Sequence, residues 1–323
     1  MKNKWEFSYD VNLFRGVLVL LLLFTIAVFI PIAGSILLLF TPLPVLYYGI
    51  KIGRMKGIAV TVVALSLMTA IVIVLGIKVN ILVLYLFSAL GLILSEALRR
   101  GYAIEKIILY PAVILSLTSL VILLYEGQQS AKQPLELIEF YVAGHIHETI
   151  SIYKNWGLPP EQINLIRDNA GRIAHFFTRI YPALILVAIS FTAWLNVLTA
   201  RYLFEKGAVP YPSLGDLACW KAPEATVWFL IAGGLIAFAA PGDYVFIGLN
   251  LLIICSFLYL MQGLSIISFL FKRKKVPPVL RIVLYFLIFA QQYILLIVIA
   301  IGLFDLWVNF RKYIKPINDA AVS

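Results

Sequence analysis

The 323-residue chain is 62% hydrophobic and only 13% charged, with a mean hydropathy of +0.98. Soluble domains carry about a quarter charged residues. Here the apolar residues fall in blocks of about 18 or more, the length of bilayer spans, which argues against one large soluble core. The net charge of +10 does not signal nucleic acid, because the 26 Lys and Arg residues sit mostly in short caps between apolar runs. In that position they set topology and meet anionic headgroups.

The start, MKNKWEFSYDVNLFRG, is too polar, and the apolar run after it too long, for an ordinary cleaved signal peptide. It is expected to be a retained cytoplasmic end. Residues 16–50 are apolar but punctuated by Pro31, Gly34, Pro42 and Pro44. One helix that long would overshoot a bilayer crossed by about 20 residues. The stretch therefore predicts two spans, 16–32 and 34–50, broken near Pro31–Gly34, with Pro42 and Pro44 kinking or interrupting the second. A broken helix in a membrane needs protein or a water-filled cavity to satisfy its freed backbone, so the pair is either a cavity wall or a simple kink in a packed bundle. Lys51, Arg54 and Lys56 cap it. Spans three to five follow at 57–77, 81–98 and 107–125, with a tight turn at Lys78 and Asn80.

Residues 128–172 break the pattern. Charges of both signs mix with apolar residues at helical spacing (Leu137, Ile138, Tyr141, Ile150), and Pro159–Pro160 begins a second helix. This predicts an amphipathic helical hairpin lying on the membrane or capping the bundle. Span six is expected at 174–198, then a Pro- and Gly-rich loop to 224. Span seven, 226–240, is short and rich in small residues that admit a neighbouring helix closely. Spans eight and nine are expected at 244–271 and 279–308. The fold expected is therefore an all-α polytopic membrane protein of about nine transmembrane helices (eight or nine). Its parts are a five-helix bundle over 1–126, a hairpin outside the bilayer core over 127–172, and a four-helix bundle over 173–323. No internal repeat is evident.

With the N-terminus inside, the nine-span reading puts 17 Lys and Arg on inner segments and nine on outer ones. The bias favours a cytoplasmic N-terminus. It leaves Arg311, Lys312 and Lys315 on the outer side, against the rule.

P-loop, GxSxG, HExxH and dinucleotide fingerprints are all missing, as is any CxxC between Cys219 and Cys255, so neither catalysis nor a bound cofactor is expected. No acidic residue lies mid-span; Glu96 and Asp305 lie at span ends, which weakens a proton-coupled carrier. The intramembrane polar groups are amides: Asn196, Asn250, Gln262, Gln291 and Gln292. Each either bridges helices, for about 0.6–2 kcal/mol, or lines a ligand cavity, with Asn196, Gln262 and Gln291 the candidate ligand-binding residues. Asp305, Trp307 and Arg311 are candidates for an interfacial anchor or a partner-binding surface. Gly233 and Ala237 are candidates for a helix interface. His145, His147 and Glu148 do not present a metal-binding face on one helix, since residues two apart diverge.

Three segments occur in order: IPIAGSILLLFTPLPVLYYGIKIGRMKG at 30–57, CWKAPEATVWFL at 219–230, and QGLSIISFLFKRKK with the closing GLFDLWVNFRKY. Together they resemble the YybS-like family of predicted bacterial membrane proteins, a domain of unknown function. Gly302, Asp305, Trp307 and Arg311 form its most distinctive element. Through the early proline-containing segment and its basic cap, that family is distantly similar to the substrate-binding S components of energy-coupling-factor transporters. The resemblance implies a bacterial cytoplasmic membrane, a six-helix substrate-binding core and a transporter partner. This chain departs from it by about three extra spans, by the inserted hairpin, and by lacking an Ala-x-x-x-Ala patch in its first span. The expected function is non-catalytic binding or translocation of a small molecule in the lipid bilayer. The alternative is a scaffold or assembly subunit that binds a membrane-protein partner or a second copy of itself.

Overall fold

The computed structural model describes residues 2–77, 79–207, 209–212 and 214–313, with side chains from residue 11 onward except 31–33. Lys78 of the expected turn and Lys315 of the charge count lie outside the described residues. Thirteen α-helices and no strand occur among them. Seven helices are long and apolar enough to cross a membrane, or eight with one bent pair taken as a single span. The protein is a polytopic all-α membrane protein. Two compact units divide it: Met1–Ile122 with Ala188–Leu214, and Leu123–Val187 with Gly215–Ser323. Limits of these two units fall inside two long helices, α6 (Ile104–Ser130) and α9 (Ala170–Lys206).

In the first unit, α1 (Lys2–Phe29) stops at Ile30, which is extended because it precedes Pro31. Helix α2 (Pro31–Leu38) folds back on α1, and a Cβ on Gly34 would lie 2.6 Å from the Ala27 carbonyl oxygen. A turn at Leu39–Thr41 separates α2 from α3 (Pro42–Lys51), each starting on a proline whose missing N–H costs nothing at that position. The prolines thus break the early stretch at both expected places. Helices α4 (Arg54–Val74) and α5 (Leu82–Arg99) complete the core, built on Leu20, Phe24, Val45, Ala64, Met68 and Leu84. Small residues set the closest contacts: a Cβ on Gly91 would lie 2.6 Å from the Pro42 carbonyl oxygen, and one on Gly49 would lie 2.9 Å from Ser95 Oγ. The Arg99 guanidinium donates to the Gly49 carbonyl, satisfying an acceptor near the open end of α3.

In the second unit, α7 (Pro134–Asn155) and α8 (Pro160–Asp168) form the hairpin. A capping box opens α7, with Glu136 Oε2 accepting from Gln133 N at 3.1 Å. Helix α10 (Thr226–Ala239) has 14 residues, about 21 Å at 1.5 Å each, short of the ~30 Å hydrocarbon layer. It packs on α11 (Val245–Arg273), where a Cβ on Gly248 would overlap Ala237 N and lie 2.5 Å from the Gly233 carbonyl oxygen. Gly233 and Ala237 therefore do admit a close neighbour, and that neighbour is α11 of the same unit.

The segment expected as one span at 279–308 is two helices, α12 (Pro278–Ala290) and α13 (Gln292–Val308), bent by 101° at an extended Gln291. The two helices meet different places on and just beyond α11. Near the end of α11, Tyr285 of α12 packs on Phe271, and Arg281 Nε donates to the Val276 carbonyl at 2.7 Å. Helix α13 is held at Gly263, in the middle of the same α11.

Pro182 inside α9 shows how an amide mends a membrane helix. Ala183 N would ordinarily donate to the Arg179 carbonyl one turn back. Here Ala183 N donates to Asn250 Oδ1 at 2.9 Å, and Asn250 Nδ2 donates to the Arg179 carbonyl at 2.8 Å. One carboxamide from α11 closes both groups that the proline kink separates. Replacing Asn250 with Leu is expected to destabilise the unit by about 1–3 kcal/mol, because two buried backbone groups lose their partner. In a double-mutant cycle with Pro182→Ala, which restores a continuous helix, most of that cost should disappear. An additive result in a thermal denaturation series would refute the repair.

Candidate functional site

Two places concentrate side chains that could carry function, one in each unit.

The second unit holds a buried polar node around Asp305, which is 1% exposed. A Cβ on Gly302 would overlap the Tyr259 carbonyl oxygen, and one on Gly263 would overlap that of Val298, so only glycine lets α13 lie so close to α11. That approach carries Asp305 to Gln262, whose Nε2 donates to Asp305 Oδ2 at 3.0 Å while its Oε1 accepts from Ala222 N at 3.0 Å. Asn309 ends α13 in the left-handed conformation (φ 48°), which asparagine tolerates better than most residues. The chain then reverses. Phe310 N donates to Asp305 Oδ1 at 2.8 Å, and Arg311 Nη1 donates to Asp305 Oδ2 at 2.8 Å. Arg311 also donates through Nε to the Ala218 carbonyl at 3.2 Å, and through Nη2 to the Trp220 carbonyl at 2.8 Å and Ser265 Oγ at 2.9 Å. Both carboxylate oxygens, both ends of the Gln262 amide and all three guanidinium nitrogens are engaged. The node ties the loop at 217–222 to α11 and to the end of α13.

Lys272, near the end of α11, pairs with Asp216 at the start of the same loop. Its bond holds the Asp216 carboxyl below the usual carboxylate range. The sign follows directly: a carboxylate favoured in the folded state contributes at neutral pH, and the contribution is lost as pH falls through that lowered value. Both groups are about half exposed, so the pair contributes little on its own. Its significance is positional, since the loop that receives Lys272 also receives Arg311. The nine-span count separates Arg311 and Lys312 from the basic cluster 272–275. The bend at Gln291 brings the chain back, so that Arg311 and Lys272 meet one loop.

The other expected site residues take separate places. Asn196, fully buried in the first unit, donates through Nδ2 to the Leu39 carbonyl at 2.8 Å and to the Thr192 carbonyl at 2.7 Å. It thereby covers an acceptor at the break between α2 and α3, while its Oδ1 has no partner among the described residues. Gln291 and Gln292 are exposed at the bend of the second unit. Trp307 is 66% exposed and rests on Phe304, outside the node. His145 and Glu148 are exposed and pair at 3.1 Å; among the described residues no three His, Cys, Asp or Glu side chains gather. Ser265, Gly263 and Asn309 were not anticipated from sequence. Nothing in a run of apolar residues marks which Ser or Gly meets a helix distant along the chain.

The first unit contains a groove of about 390 Å³. Val19 and Leu23 of α1 form one wall, Leu43, Pro44, Tyr47 and Tyr48 of α3 another, and Leu203, Lys206 and Gly207 close it. The early broken pair thus does line a cavity. The Tyr47 ring stacks on Phe204 at 5.6 Å, and Phe204 stacks on Tyr211 at 5.3 Å. Asn196 lies two turns before Leu203 on α9, on the same helix face.

The model of the predicted membrane protein family DUF2232 matches residues 18–306, most of the chain. The chain belongs to this family. The chain is similar to the uncharacterized protein YybS of Bacillus subtilis (strain 168), 24% identical over 305 residues covering 90% of this chain and 93% of that protein. No solved structure matches. Membership supports a multi-pass membrane protein, in agreement with the helices described above. The likeness to S components finds no support in these matches.

Proposed function

We propose that the protein binds a small amphipathic molecule in the groove of its first unit, without converting it chemically. The observation that carries this reading is the groove itself. At about 390 Å³ it falls in the range of ligand sites, about 300–1,000 Å³, and it has apolar and aromatic walls with one ammonium group at Lys206. The unpaired Asn196 Oδ1, buried two turns away on the same face of α9, adds an acceptor deeper in the unit. Gln262, by contrast, spends its amide on Asp305 and Ala222, which fits a structural part. The test is untargeted mass spectrometry of molecules that copurify with the full chain and with Leu203→Trp, which fills the groove. A bound amphiphile in the wild type that is lost in a normally folded Leu203→Trp supports the reading. An empty wild type, or equal occupancy in both, overturns it.

We further propose that the N-terminus, the cluster 272–275 and Arg311 all face the cytoplasm of a bacterial inner membrane. The reading is supported by the excess of Lys and Arg on the expected inner segments and by Lys272 and Arg311 meeting one loop. Single cysteines placed at Lys274 and Lys312 in a chain lacking Cys219 and Cys255 should resist a membrane-impermeant maleimide added to intact cells and react in inverted vesicles. Labelling of the two positions from opposite sides would refute it.

A further inference from the structure

Resting on the groove reading, we infer that its occupant is an anionic membrane phospholipid, with an acyl chain along the apolar walls and the phosphate at Lys206 and Lys51. Three observations support that chemistry. First, the helix that forms one wall also carries exposed apolar residues next to the lining ones. Leu18 and Leu22 beside it on α1 are 56% and 60% exposed, so a chain can enter laterally from the bilayer. Second, each of the two lysines adjoins the groove wall. Lys206 lines it, and Lys51 Nζ lies 5.4 Å from the ring centroid of Tyr47, which lines it too. Each is the last residue of its helix, α9 and α3. Third, these two cations lack the partners that their neighbours have. Arg54 and Arg100 share Glu96 at 3.5 and 2.9 Å, and Arg201 meets Glu205 at 3.0 Å. Among the described residues, Lys51 and Lys206 face no carboxylate.

Two unpaired ammonium groups beside an apolar, aromatic-walled groove complement a molecule with a long apolar body and a single anionic head. A lipid phosphate accepts from both, and basic residues at a membrane surface attract anionic headgroups. A zwitterionic lipid with the same acyl chains would fill the walls equally but offer its phosphate already paired with its own cation.

Native mass spectrometry of the full chain in detergent, titrated with phosphatidylglycerol and phosphatidylcholine of identical chains, tests this. Wild type is expected to prefer phosphatidylglycerol by about tenfold. The double variant Lys51→Gln/Lys206→Gln should bind both lipids alike at an unchanged melting temperature, and Leu203→Trp should lose both. Equal binding of the two lipids by wild type, or a preference that survives in the double variant, would overturn the anionic assignment and leave the groove reading standing. Binding undiminished in Leu203→Trp, or none in wild type, would overturn both.

Discussion

Asp305→Ala is expected to destabilise the second unit by about 3–5 kcal/mol, the cost of leaving a buried charge without its partner. The carboxylate is 1% exposed and receives Arg311, Gln262 and the Phe310 amide. Its removal strands a guanidinium whose side chain is only 9% exposed. Arg311→Ala should be comparably damaging, because it leaves the buried carboxylate without its counter-charge and removes the donor to the Ala218 carbonyl. Asp305→Asn should be milder, since an amide oxygen still accepts from Arg311. The diagnostic comparison is a third variant, Asp305→Leu/Arg311→Met. A buried ion pair stabilises little relative to an apolar replacement of similar size, so the double variant should melt above either single alanine variant. Melting of the purified protein in one detergent measures all of these. If each alanine variant melts within a degree or two of wild type, the node is not the lock described here.

Gly302→Val is expected to be strongly damaging as well, through close approach and not through charge. Even the first added carbon would overlap the Tyr259 carbonyl oxygen, a backbone atom that cannot rotate away. Overpacking of well-packed cores costs about 1–3 kcal/mol, and forcing apart the two backbones that position Asp305 adds part of the node's cost. Gly263→Ala should act similarly through the Val298 carbonyl. Gly234 of α10 provides the control, because a Cβ there meets nothing within 4 Å. Gly234→Ala should leave the melting temperature unchanged or raise it slightly, since glycine is a poorer helix residue than alanine by about 0.5–1 kcal/mol. Loss of stability at Gly234 equal to that at Gly302 would mean that helix propensity, and not close approach, explains the glycines.

The two sets of variants probe one design. The glycines bring the backbones together, and the node then fixes which part of α13 meets which part of α11. Distinctive spacing in the closing element, Gly302 then Asp305 then Arg311, is the trace of that order. Gly302 and Asp305 are one turn apart on α13, so both face α11. Arg311 lies beyond the helix and returns only because Asn309 reverses the chain.

Hydropathy, prolines and charge were enough to establish the class of this protein and the position of nearly every helix. Apolar length is a local property, and a proline acts on the residue before it wherever it stands. The hairpin at 128–172 was equally plain, because amphipathic spacing needs no knowledge of neighbours. What the tertiary structure decided was partnership. Gln262, Asn196 and Gln291 look alike in a sequence, as amides in apolar runs. One is locked in an ion-pair node, one covers a carbonyl freed by a helix break, and one is exposed at a bend. An amide's role depends on which backbone group a distant helix leaves unsatisfied, and that is a non-local fact. The same holds for the break at Gln291. Apart from Gln291 and Gln292 the apolar composition continues through it, and the bend shows only in the different places where α12 and α13 meet their neighbours.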